Sequence, residues 1–186
     1  MLIACNHVAF IDALLVSAAL LPRRSWQMAK EELFRSRPLA AWIRRSGAFP
    51  VRRATPDVWA VRTARDLIRG GECLLVFPEG AVNRGGLLRP GFPGAGYLAL
   101  QPDVTVVPAA IWNTQLMKGP VRMRFGAPIP MDEVRASPRP GRNRRATELI
   151  MRTLAEMVPL VGGPVQDPPT GKPWIPVPRG KGAIRS

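Results

Sequence analysis

Short apolar runs recur along this chain with helix-patterned stretches between them, and that alternation restricts the fold more than any other feature. Leu2 to Cys5, Gln27 to Ala29, Ala48 to Val51, Cys73 to Phe77, Val104 to Ala110 and Val121 to Phe125 are bounded by Gly, Pro, Asn or charge, as buried strands are. Asp12 to Leu21, Glu31 to Arg45, Asp57 to Arg69, Gly94 to Leu100 and Arg144 to Val158 read as helices. Thr55 as cap and Pro56 in the first turn predict the start of the third, and Gly70-Gly71 its stop. Strands alternating with helices predict an α/β fold, a mostly parallel or mixed sheet flanked by helices on both faces. Such a sheet binds ligands beyond the carboxyl ends of its strands, so chemistry should be sought just after the apolar runs.

From Pro159 onward Pro and Gly dominate, as in Gly162-Gly163-Pro164 and Asp167-Pro168-Pro169. Residues 1–158 therefore read as one domain, and 159–186 as a Pro/Gly-rich tail that buries little and is disordered. The formal charge of +14, from 27 basic and 13 acidic residues, predicts attraction to polyanions. The densest basic cluster, Arg135, Arg139, Arg142, Arg144 and Arg145, contains no aromatic residue. That is unlike a base-stacking platform, so no nucleic acid is expected and an anionic membrane surface is the better partner. No apolar run approaches the ~20 residues that span a bilayer, since the longest, Ile11 to Leu21, is short and carries Asp12. Met1 leads straight into Leu2-Ile3-Ala4-Cys5 without a basic leader, which predicts a peripheral protein on the cytoplasmic face of a membrane. Cys5 and Cys73 form no Cys-x-x-Cys pair and are expected to be small core residues, with no metal site.

His7 is the single histidine, so an imidazole base has one candidate. Asp12 lies five residues on, near the start of a predicted helix, where a turn can bring its carboxylate back to the imidazole and fix the tautomer. No serine or cysteine is obviously paired with them. If the pair is catalytic, the nucleophile is then a hydroxyl of the substrate. By themselves the two residues are better read as a satisfied loop histidine and a helix-start carboxylate.

Asn6-His7-Val8-Ala9-Phe10-Ile11-Asp12 resembles the His-x4-Asp box of the lysophosphatidic acid acyltransferase family, a family of glycerolipid acyltransferases. Gly47-Ala48-Phe49-Pro50-Val51-Arg52-Arg53 resembles its second box, Phe77-Pro78-Glu79-Gly80 its third, and Val106-Val107-Pro108-Ala109-Ala110-Ile111 its fourth. Lys30-Glu31-Glu32-Leu33 and Phe125-Gly126-Ala127-Pro128-Ile129 resemble two intervening segments, so the likeness runs from Leu2 to Val158. The order of the boxes carries more weight than any one of them.

The resemblance implies the glycerolipid acyltransferase fold and transfer of an acyl group from acyl-CoA or acyl carrier protein to a lysophospholipid, foremost lysophosphatidic acid. No cofactor is implied beyond that co-substrate. His7 would be the base and Asp12 its partner. Arg53 and Arg84 would hold the phosphate, with Arg52 and Lys30 as further contacts. Glu79 would orient the glycerol, and Gly80 would let backbone approach the ligand. Read without the family, Arg52 and Arg53 are equally solvated charges after a strand, and Phe77 to Gly80 an ordinary strand exit.

Ala9, Ala81 and Val82 depart from the family's usual residues, which opens other acceptors: glycerol 3-phosphate, a lyso-phosphatidylinositol mannoside or a lyso-ornithine lipid. A non-catalytic basic membrane-binding module is the alternative from another class. Family members often carry an apolar or amphipathic segment before the first box, whereas Met1 stands six residues before His7, as in a fragment or a misassigned start. Membrane attachment would then fall to basic surface and to Trp26, Trp42 and Trp59, which could equally be core.

Overall fold

The computed structural model describes residues 1–52, 57–115 and 119–173. Six strands form one sheet: β1 Leu2–Cys5, β2 Ser25–Lys30, β3 Ala48–Val51, β4 Cys73–Val76, β5 Val106–Trp112 and β6 Arg122–Phe125, in the order β3-β2-β4-β1-β5-β6. Neighbours among β1 to β5 are parallel and β6 runs antiparallel to β5, so the sheet is mixed. β1 lies inside it, Ala4 pairing with Val76 on one side and Pro108 on the other.

Period-two alternation divides the apolar residues between two faces. Leu2, Ala4, Leu74 and Val76 join a core shared with helices α3 (Val58–Arg69), α4 (Pro93–Ala99) and α6 (Arg142–Met157). Ile3, Cys5, Cys73 and Leu75 pack toward Val16 of α1 (Asp12–Ala19) on the other face. Both cysteines are free and buried, as expected. Ala60, Ala64 and Ile68 give α3 one buried stripe at helical spacing.

The helix expected over 31–45 is broken into a 3-10 turn, Glu31–Phe34, and α2, Arg37–Arg45. Pro38 explains the break: inside a continuous helix its ring would collide with a carbonyl one turn back, whereas the first turn of a new helix tolerates it. Thr55 and Pro56, the expected start of α3, lie outside the described residues; Asp57 caps the helix instead, accepting from the Ala60 amide at 3.0 Å. A short helix α5, Asp132–Ala136, was not anticipated, and α6 begins at Arg142, two residues before the expected start at Arg144.

The stretch just beyond Pro159 packs on the domain. Val158 and Val161 are buried in a 3-10 turn against the core, and the Gln166 side chain accepts from the Leu88 amide, so packing continues past the expected end of the domain at 158. Apolar residues among the prolines are enough to anchor it. Residues 174–186 lie outside the described residues.

Helices α4 and α6 touch through a glycine. A Cβ on Gly96 would stand 1.9 Å from the Asn143 carbonyl oxygen, and the Gly96 amide donates to Thr147 Oγ1 at 3.0 Å. Gly96→Ala is expected to force these helices apart and cost about 3 kcal/mol. A denaturant midpoint shifted down with an unchanged slope would confirm it; an unchanged midpoint would contradict it.

Candidate active site

Parallel strands that all run one way deliver their following loops to one edge of the sheet. His7 follows β1, Lys30 ends β2, Arg52 follows β3, Glu79 follows β4, and Thr114 follows β5. The sequence scattered these residues over more than a hundred positions, and the topology gathers the loops that carry them.

The first loop is held to the sheet by Asn6, whose amide donates to the Ile111 carbonyl at 2.9 Å and accepts from the Ile111 N–H at 2.8 Å. These two bonds replace a ladder pair where β1 ends, and they fix the takeoff of His7. The chain then turns, Asp12 N donating to Ala9 O at 3.2 Å, and α1 begins. This brings Asp12 Oδ2 to 3.0 Å from His7 Nδ1. The same oxygen accepts from the Val8 and Ala9 amides at 2.7 Å each, and Oδ1 accepts from Thr114 Oγ1 at 2.5 Å. Asp12 is 0% exposed and His7 6%. A carboxylate so placed accepts a proton donor at Nδ1 and leaves Nε2 as the basic nitrogen.

The rest of His7 is also held. Its ring stacks on Phe77 with centroids 4.0 Å apart and planes 19° from parallel. Its main-chain N–H donates to Glu79 Oε1 at 3.2 Å, and its carbonyl accepts from the Asn83 N–H at 2.6 Å. Glu79 Oε2 accepts from Asn83 Nδ2 at 2.9 Å and from the Arg89 N–H at 3.1 Å. Glu79 is buried, both its oxygens are engaged, and it ties the loop after β4 to the loop after β1. Burial pushes its carboxyl above the ordinary value, against the opposing pull of these donors.

His7 opens onto a cavity of about 990 Å³, near the upper end of the roughly 300–1,000 Å³ common for ligand pockets. Its walls are mostly apolar, with Phe10 and Ile11 from the dyad's own turn, Leu33, and Leu39 and Trp42 from α2. All five are exposed, Phe10 by 64% and Trp42 by 54%, so the cavity has an apolar rim. Trp59 is likewise exposed, whereas Trp26 packs against the core and donates to Glu72.

Of the cations expected at the site, Lys30 and Arg52 line this cavity. Lys30 Nζ lies 3.2 Å from Glu32, and Arg52 Nε 3.9 Å from Glu31, both of them weak, exposed pairs. Arg53 lies outside the described residues, and Arg84 is exposed but does not line the cavity. Gly80 lines it at φ +70, where a Cβ would stand 2.7 Å from the Phe92 ring. Sequence reading missed Thr114 and Asn83 and gave Asn6 no role of its own. Only Asn6, directly before the histidine, carried a signal of position; a threonine after a strand carries none.

The acyltransferase family pattern matches residues 1–112. The 1-acyl-sn-glycerol-3-phosphate acyltransferase of Bacillus subtilis is 27% identical over 160 residues, covering 83% of this chain and 79% of its own. The alpha form of that enzyme from Mus musculus is 33% identical over 131 residues, covering 68% of this chain and 45% of its own. The chain spans about half the length of several of the curated relatives it matches. The crystal structure of the 1-acyl-sn-glycerophosphate acyltransferase PlsC from Thermotoga maritima superposes with a TM-score of 0.64 at 22% identity, over 84% of this chain and 66% of that one. That likeness shows the fold.

Asn6→Ala is expected to strand the Ile111 N–H and carbonyl in a buried place and cost about 2–4 kcal/mol of stability. Chemical denaturation measures it, and a loss below about 0.5 kcal/mol would show that the clamp is dispensable.

Proposed function

This chain belongs to the acyltransferase family, and from that premise we propose that it transfers an acyl group from acyl-CoA or acyl carrier protein to the free hydroxyl of lysophosphatidic acid, yielding phosphatidic acid. The observation that carries this reading is the buried contact between His7 Nδ1 and Asp12 Oδ2 at the wall of an apolar cavity. The relatives named above as 1-acyl-sn-glycerol-3-phosphate acyltransferases support the acceptor.

In the proposed reaction His7 Nε2 takes the proton of the acceptor hydroxyl as that oxygen attacks the thioester carbonyl. Asp12 holds the ring and stabilises the imidazolium that forms. The tetrahedral intermediate collapses, the carbon–sulfur bond breaks, and His7 returns the proton to the leaving thiolate. Lys30 and Arg52 at the cavity wall, with neighbouring Arg53, hold the acceptor phosphate. No prosthetic group enters this sequence. Acyl chains occupy the apolar cavity, and its exposed rim meets the membrane from which the lipid comes.

No helix among the described residues is long and apolar enough to cross a membrane. Attachment at a cytoplasmic face through the apolar rim and flanking arginines belongs to the same proposal. A second reading within the class, another acceptor headgroup, is favoured by Ala81 and Val82, which put no hydrogen-bonding side chain after Gly80.

Labelled acyl transfer on mixed liposomes tests the function. His7→Ala and Asp12→Asn are expected to lower turnover about a hundredfold to ten-thousandfold, with lysophosphatidic acid preferred over glycerol 3-phosphate and lyso-ornithine lipid. Undiminished turnover by His7→Ala would sink the mechanism. Glu79→Gln separates ligand from brace: a brace predicts that kcat falls about tenfold or more with KM nearly unchanged, whereas a glycerol ligand predicts that KM rises.

A further inference from the structure

We propose that Thr114 is a positioning residue for the dyad, the arm that fixes the far oxygen of Asp12. The inference rests on the reading of His7 and Asp12 as the reacting pair. Thr114 lies two residues beyond the segment matched by the family pattern and 102 positions from Asp12. Its hydroxyl nonetheless stands 2.5 Å from Asp12 Oδ1, and both residues are buried.

The two carboxylate oxygens are held from different places. Oδ2 receives His7 and the two amides of its own turn, all within six residues, whereas the one described donor to Oδ1 is Thr114. The three donors on Oδ2 already resist rotation of the carboxylate about Cβ–Cγ, and the Thr114 bond to Oδ1 adds a restraint on the opposite side that comes from a different loop. A locked carboxylate keeps Oδ2 in line with Nδ1, and through it aims Nε2 at the acceptor hydroxyl.

The loop that carries Thr114 has the form this task requires. Asn113, immediately before it, adopts φ +70, the left-handed conformation that asparagine tolerates better than most residues. The Asn113 side chain donates to the Pro120 carbonyl at 3.2 Å, tying the start of the loop to its end. β5 thus stops with a reversal that turns the next side chain back over the dyad. A hydroxyl serving only its own satisfaction would need any carbonyl; this one meets the catalytic carboxylate.

The experiment compares the unaltered chain with Thr114→Val, which keeps the shape and deletes the donor, and Thr114→Ser, which keeps the donor and deletes the methyl. The expected result is a kcat about tenfold to a hundredfold lower for valine, with KM for both substrates within about twofold. Serine is expected to keep kcat within about threefold. Because the chain holds one histidine, its imidazole resonances are unambiguous in a nitrogen-detected NMR spectrum. They are expected to move in the valine variant and not in the serine one. Unchanged kcat in the valine variant, or equal damage from serine, would overturn the proposal, as would an imidazole spectrum unmoved by valine. If valine prevents folding, Thr114→Ala with the same two readouts decides. The spectrum is independent of turnover: a shifted imidazole in a chain that transfers no acyl group would refute the proposed activity and uphold the Thr114 link.

Discussion

A carboxyl group shut away from water needs donors in water's place, and at Asp12 that requirement shapes the loops at one edge of the sheet. The turn from His7 to Asp12 exists because the Val8 and Ala9 amides close onto Oδ2. The spacing of the pair follows from this: those amides sit just ahead of α1, and the residue that opens the helix is the one whose side chain reaches them. Glu79 repeats the principle one strand away, its three donors coming from the loops after β1 and β4. His7 stands between the two buried acids, its ring held by one and its main chain by the other. Preorganisation here is a consequence of satisfying two charges, and it leaves the imidazole few conformations.

The same reasoning locates the basic charge that does not serve the site. Arg142 and Arg145 spend donors on Ser137, and Arg145 also on the Pro138 and Pro140 carbonyls. Arg135 reaches the Ala99 and Val104 carbonyls. The cluster that looked like a membrane or polyanion patch in the sequence is in good part the internal scaffold of a Pro-rich loop. Exposed arginines remain on α2, where Arg37, Arg44 and Arg45 share a short amphipathic helix with Leu39 and Trp42 of the cavity rim. Net charge therefore overstates the surface available to an anionic partner, and the useful part of it lies beside the cavity.

What could be read from the sequence was whatever is local in the chain. The strands and most helices follow from periodicity, and His7 and Asp12 from a motif whose members are five residues apart. Pro38 split a helix that apolar patterning had run together, because patterning sees hydrophobicity and not a missing N–H. Val161 holds the start of the Pro-rich tail on the core, an apolar contact that composition alone does not weigh. Thr114 and Asn83 were invisible for the opposite reason: their partners are brought to them by the sheet, and neither residue type nor spacing announces it. The donors around Glu79 were also beyond the sequence, because a carboxylate next to glycine reads as open until the loops that meet it are seen.

For the proposed reaction a question left open is which atom attacks the acyl donor, and burial bears on it. Cys5, the last residue of β1 and two before His7, is the thiol beside the dyad, and it is wholly enclosed. Burial pushes its thiol well above the ordinary value, and the charges of Asp12 and Glu79 push it the same way. A thiol that stays protonated and unreachable forms no acyl-enzyme. The two carboxylates that hold His7 thus also raise the neighbouring thiol, which agrees with the proposed role of the imidazole in activating an acceptor hydroxyl. The direct transfer proposed above requires room for two lipophilic substrates beside one nitrogen, and the wide cavity with its apolar rim is compatible with that requirement.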